Sequence, residues 1–240
     1  MRVRRAVTPL LVVSAIVLAA TACGPVSDGS ADPAPAAAAT ATRTAERTPS
    51  PSPTHHLRVV TLGDSLMSGY GLSSGQAWPK LLAASAGLSV TNLACGGMGF
   101  VVSGDCQTAY AGLVPAVIAL QPELIIIQSS DNDFDLSAED VAEATASTVE
   151  QLRDAVPDAE LVGLSTISYD DGGDDSDVAM TSAALQTAVE SVGGTFLDIG
   201  QPLTGHAEWM QGDDEHPNKD GQRVIAATVH EALIEAGILP

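Results

Sequence analysis

Aromatic side chains are scarce in this chain: three Phe, two Trp and three Tyr in 240 residues. A long sugar-stacking platform of rings is improbable on that count, although a single sugar ester is compatible with it. Basic residues are few as well, ten Lys and Arg against 30 Asp and Glu. So acidic a surface makes nucleic acid and anionic lipid poor partners, and no nucleic-acid partner is expected. The N-terminal apolar run, Leu10 to Ala22, has 13 residues. That is short of the ~20 needed to cross a bilayer core. Only three cysteines occur, Cys23, Cys95 and Cys106.

What the N-terminus does contain is Met1-Arg2-Val3-Arg4-Arg5, the short apolar run, and then Ala20-Thr21-Ala22. A basic start, an apolar centre and small residues at the end read as a secretory signal peptide over residues 1–22. Leu18-Ala19-Ala20-Thr21-Ala22-Cys23 resembles a bacterial lipobox, with Ala20 where leucine is usual. The resemblance implies lipidation of Cys23 and a cell-surface lipoprotein. Ordinary cleavage after Ala22 gives a soluble secreted protein instead. Either way the chain is expected to be exported, and any membrane contact is through that N-terminal lipid alone.

From Gly24 to His56, 23 of 33 residues are Ala, Pro, Ser or Thr, and Val26 is the one large aliphatic. Such a stretch cannot bury enough apolar surface to offset its ordering entropy, so residues 23–56 read as a disordered tether. The folded domain is then 57–240. It carries five Lys and Arg against 27 Asp and Glu, a formal net charge of −22. Within it, Asp170, Asp171, Asp174, Asp175 and Asp177 surround Gly172-Gly173. Their spacing is not that of an EF-hand, and a flexible acidic loop is expected rather than a Ca²⁺ site.

Strand-like runs fall at Leu57–Leu62, Leu88–Leu93, Leu124–Gln128, Leu161–Leu164 and Thr195–Ile199. Helical patterns lie between and after them, at Ala77–Ala86, Ala111–Leu120, Ala138–Ala155, Met180–Val192 and Asp220–Ala236. Repeated β-α units imply an α/β fold with a parallel sheet of about five strands, covered on both faces. In such sheets, sites form beyond the carboxyl ends of the strands. Chemistry is therefore sought just after each strand.

After the first strand, Gly63-Asp64-Ser65-Leu66 is a tight turn that aims a serine hydroxyl outward, although a plain helix cap would use the same residues. After the second, Cys95-Gly96-Gly97-Met98-Gly99 is a loop whose backbone N–H groups can approach a ligand closely. After the third, Ser129-Ser130-Asp131-Asn132-Asp133 offers an Asn amide as a donor to a developing oxyanion. Before the last helix, Asp213 stands three residues ahead of His216. A turn can bring its carboxylate onto Nδ1–H and leave Nε2 free to accept a proton from a serine. Asn218 or Asp220 can cap the helix in the same arrangement.

Gly63-Asp64-Ser65-Leu66, the glycine loop, Asn132-Asp133 and Asp213-x-x-His216-Pro217 together resemble the GDSL/SGNH hydrolase family, in that family's order and over nearly the whole domain. The resemblance implies a flavodoxin-like three-layer α/β/α sandwich and hydrolysis of carboxylic esters. It makes Ser65 the nucleophile, His216 the base and Asp213 its partner. The oxyanion donors would be the N–H groups of Ser65 and Gly97 and the Asn132 side chain. One departure is Ser130, which stands where the family has glycine, so a narrowed or reshaped pocket is expected.

This chemistry needs no metal or organic cofactor: the base takes the serine proton, an acyl-enzyme forms, and water releases it. In an exported protein, Cys95 and Cys106, with ten residues between them, read as a disulfide, free thiols being the alternative. A short-chain acyl ester or an acetylated glycan is the expected substrate, and a monomer the expected state. Trp209, Met210, Tyr70 and Phe100 are either pocket walls or core. A surface protein that keeps the fold and binds a ligand without turnover is the competing reading.

Overall fold

The computed structural model describes residues 56–168 and 175–240. The signal peptide, Cys23, the tether up to His55, and Asp170, Asp171 and Asp174 of the acidic run lie outside the described residues. The five expected strands are present: β1 Arg58–Leu62, β2 Ser89–Asn92, β3 Leu124–Gln128, β4 Glu160–Leu164 and β5 Thr195–Leu197. All pair in parallel, in the order β2-β1-β3-β4-β5. That order is the flavodoxin-like one, in which the chain starts near the middle and winds outward both ways.

Among the described residues the α-helices are the single turn α1 Ser65–Ser68 and five that cover the sheet, α2 Trp78–Ala86, α3 Val114–Leu120, α4 Ala138–Ala155, α5 Asp175–Ser191 and α6 Lys219–Glu235. The period-two alternation of strand side chains builds two cores. Val59, Leu124, Ile126, Val162 and Leu164 pack with Trp78 and Leu82 of α2 and Ile225, Val229 and Leu233 of α6. Val60, Leu62, Ile125, Ile127 and Leu161 face the other way, onto Val117, Val149, Leu152, Leu185 and Val189 of α3, α4 and α5. Every residue of β3 is buried, as expected of a central strand between two helical layers. The three-layer sandwich follows directly.

Two helices differ from the sequence reading. The expected helix over Ala111–Leu120 opens as a 3₁₀ turn at Tyr110–Leu113 and becomes α-helical only at Val114. Pro115 explains the break: it has no N–H to give to the preceding turn and is tolerated only in a helix's first turn. Helix α5 begins at Asp175 rather than Met180, so Asp175 and Asp177 are helical and not part of an acidic loop. A carboxylate such as Asp177 is favoured in a first helical turn, next to unpaired N–H groups.

Candidate active site

Residue Ser65 lies at the carboxyl end of β1, as the first residue of α1, and is 6% exposed. Asp64 caps that short helix, its Oδ1 accepting from the Leu66 N–H at 2.9 Å. Gly63 has no room for a side chain, since a Cβ there would lie 2.7 Å from Met67 Sδ. Gln222 of α6 then ties the far end of the chain to this turn. Its Nε2 donates to the Leu66 carbonyl at 2.8 Å and its Oε1 accepts from the Trp78 N–H at 2.7 Å.

The segment before α6 is folded into a clasp. The His216 carbonyl accepts from Gln211 N–H, the Trp209 carbonyl accepts from Asn218 N–H, and Met210 forms an antiparallel bridge with Pro217. Asn218 caps α6 through Asp220 and Gly221 N–H, while its Nδ2 donates to the Glu208 and Met210 carbonyls. The turn leading into the clasp passes through Asp214 at φ 57°, in the left-handed region. Asp213 Oδ1 accepts from the Glu215 and His216 N–H groups, and Oδ2 lies 2.9 Å from His216 Nδ1.

Those bonds, the His216 N–H first and the ring second, lower the Asp213 carboxyl to about 2. An ionised carboxylate only accepts, so Nδ1 carries the proton and a neutral His216 has Nε2 free to receive one.

Contacts of Tyr70 bring the first, second and fourth loops to one rim. The Tyr70 ring lies 4.4 Å from the His216 ring, the Tyr70 N–H donates to the Ser65 carbonyl, and the same ring borders Gly96. Asp131, beside Asn132, feels the charge of Glu215, beside His216. Its carboxyl is raised well above the ordinary range, chiefly by burial and then by Asp64 and Glu215.

The glycine loop is braced from two sides. Cys95 and Cys106 form a disulfide, and closing so short a loop stabilises the chain by about 3 kcal/mol on the chain-entropy account. Gly97 adopts φ 69°, where glycine is favoured, and its N–H has no hydrogen-bond partner among the described residues. Gly104 packs so tightly beneath it that a Cβ would lie 2.3 Å from the Gly96 carbonyl oxygen.

Three residues carry more of this architecture than their sequence context suggests. Asp133 accepts from the N–H groups of Phe100, Val101 and Val102, fastening the third loop to the second. Ser130 is fully buried and donates to Asp64 Oδ2 at 2.7 Å; its hydroxyl points into the polar interior, not into a pocket. Gln222 is the third. The local sequence does not show these contacts, because Asp64, Phe100 and Leu66 lie tens of residues from Ser130, Asp133 and Gln222.

Among the aromatic and sulfur side chains, Tyr70 is the exposed one at the rim, while Phe100 and Met210 are core residues. Trp209 packs partly on the core and stacks on His206, ring centroids 3.6 Å apart. No group of three or more His, Cys, Asp or Glu residues able to hold a metal ion occurs among the described residues.

Comparison with known proteins gives the family and the fold. The sequence profile of the GDSL-like Lipase/Acylhydrolase family matches residues 61–224. No curated protein sequence matches significantly. Among solved structures, the psychrotrophic esterase EstA from Pseudoalteromonas sp., in a form inhibited by monoethylphosphonate, superposes with a TM-score of 0.62 at 19% identity, covering 74% of this chain and 97% of that one. TesA gives 0.60 at 21% identity, over 73% and 97%. A family two carbohydrate esterase from Cellvibrio japonicus gives 0.58 at 18%, over 75% and 61%. At such identities the likeness is one of fold.

Proposed function

Because the chain belongs to the GDSL-like lipase/acylhydrolase family and is a carboxylic ester hydrolase, we propose that Ser65 is its nucleophile and His216 the base that activates it. Asp213 fixes the imidazole tautomer and stabilises the imidazolium that forms when the serine proton arrives. Attack on the ester carbonyl gives a tetrahedral oxyanion, held by the N–H groups of Ser65 and Gly97 and by Asn132 Nδ2. Each such donor is worth about 3 kcal/mol in the transition state. Collapse expels the alcohol, protonated by His216, and leaves an acyl-enzyme on Ser65. Water, deprotonated by the same ring, then frees the acid.

The observation that carries this reading is the 2.9 Å contact between His216 Nδ1 and Asp213 Oδ2, on a ring packed against Tyr70, whose own N–H is bonded to the Ser65 carbonyl. It supports a proton-accepting nitrogen on the same rim as the serine. For substrate we favour a short-chain acyl ester or an acetylated glycan. The scarcity of rings argues against an extended polysaccharide platform, and carbohydrate esterases are among the proteins that share the fold. The Cys95–Cys106 disulfide fits export to an oxidising compartment, as a secreted protein or as a lipoprotein anchored through Cys23.

Turnover of p-nitrophenyl acetate by wild type and Ser65→Ala, with fluorophosphonate labelling of both, tests the assignment. Activity and labelling should vanish together in the variant while its melting temperature stays within a few degrees. A variant that keeps near wild-type turnover ends the proposal; a wild type that neither labels nor turns over indicates a binding protein instead.

A further inference from the structure

The hydroxyl of Ser130 sits at the centre of a polar network beneath the rim. It has one proton and two lone pairs, set among Asp64 Oδ2, the Met98 carbonyl and two N–H donors of Asn132. The proton faces Asp64 Oδ2 at 2.7 Å, a shorter contact than the Met98 carbonyl at 3.1 Å; burial raises the Asp64 carboxyl, and this bond lowers it against that burial. The lone pairs face two donors of one residue: the Asn132 backbone N–H at 3.1 Å and its side-chain Nδ2 at 3.0 Å. Nothing of Ser130 is left over to touch a substrate.

This filled valence dictates which way the Asn132 amide points. With its proton committed to Asp64, Ser130 can only accept, and so can the Met98 carbonyl, 3.4 Å from Nδ2. Turning the amide over would set its oxygen against two acceptors. The nitrogen therefore faces them, 3.0 Å from Ser130 Oγ and 3.4 Å from the Met98 carbonyl. Asp64 is held in turn by the Leu66 N–H on its other oxygen, one residue beyond Ser65. One chain of bonds thus joins the turn bearing Ser65 to the Asn132 donor.

Resting on the reading of Asn132 as an oxyanion donor, we propose that Ser130 is a positioning residue, relaying the buried Asp64 carboxylate to the Asn132 side chain so that an N–H is presented to the reacting carbonyl. Without the hydroxyl, Asn132 keeps only the long contact to Met98, and its amide is free to rotate. The loss falls on the transition state, where the oxygen carries charge, and little on the bound ester.

The test is a double-mutant cycle in the full chain, read as kcat and KM on p-nitrophenyl acetate with melting temperature alongside. Ser130→Ala should lower kcat by about 10- to 100-fold, a fraction of what a whole donor supplies, with KM changed less than about threefold. In an Asn132→Ala background the same substitution should leave kcat within about twofold, since nothing remains to position. A full, multiplicative loss in that background, or a wild-type kcat in Ser130→Ala, overturns the proposal and leaves the parent reading intact. A wild-type kcat in Asn132→Ala sinks both. Where Ser130→Ala is too unstable to assay, Ser130→Cys, similar in volume and a weaker acceptor, is put through the same cycle.

Discussion

Gln222 reaches across 156 residues of sequence to the Leu66 carbonyl, 2.8 Å away, and with its other amide atom holds the Trp78 N–H. The first strand's turn and the last helix are thereby fastened by a single fully buried side chain. Gln222→Leu, close in size, should strand two buried backbone groups at about 1–3 kcal/mol each. Urea unfolding should show a loss of about 2–4 kcal/mol with unchanged m-value. Turnover at a temperature where the variant is folded should fall too, because α1 carries Ser65. A change below about 0.5 kcal/mol would mean that water or a shifted side chain replaces the amide.

Asp213 is depressed to about 2 by the His216 N–H and ring. A depressed acid contributes stability above its unfolded value, 3.8, and loses it as pH falls through about 2. The side chain is 41% exposed, so screening holds that contribution to about 0.5 kcal/mol. Asp213→Asn should therefore be nearly as stable as wild type at neutral pH and indistinguishable from it below pH 2. Its kcat should nonetheless drop tenfold or more, since an amide can hold the ring in the wrong tautomer. Equal kcat for the two proteins across pH 5–9 would remove Asp213 from the mechanism.

Gly104 gives a steric test of the glycine loop. A Cβ there would meet the Gly96 carbonyl oxygen at 2.3 Å and the Met98 nitrogen at 2.6 Å, both backbone and unable to swing aside. Gly104→Ala should displace the segment holding Gly97 and lower kcat far more than the matched control Gly75→Ala, where nothing lies within 4 Å. Comparable kcat in the two variants would show that this loop does not serve the reaction.

The alternation of apolar runs was enough to read the five strands and the order of layers, because burial on one or both faces leaves a direct imprint on the pattern. Asp213, three residues before His216, was equally readable, since a single turn sets their geometry. Ser130 was not. Its replacement of glycine suggests a narrowed pocket, whereas the hydroxyl faces inward, and that orientation depends on Asp64 in the turn after β1, 66 residues away. The same limit hides the bonds of Asp133 to the glycine loop and of Gln222 to the Leu66 carbonyl, and the burial of Met210, which the clasp before α6 turns into the core. The 3₁₀ opening before α3 is different in kind: Pro115 is visible in the sequence, and its missing N–H outweighs the helical period there.

Asp133 holds the amides of Phe100, Val101 and Val102 with one carboxylate, and fills the space a side chain on Gly99 would need. The glycine loop and the segment bearing Asn132 are consequently one mechanical piece. Efforts to change acyl preference by grafting either loop from another enzyme will tend to fail unless both are exchanged as a matched cassette.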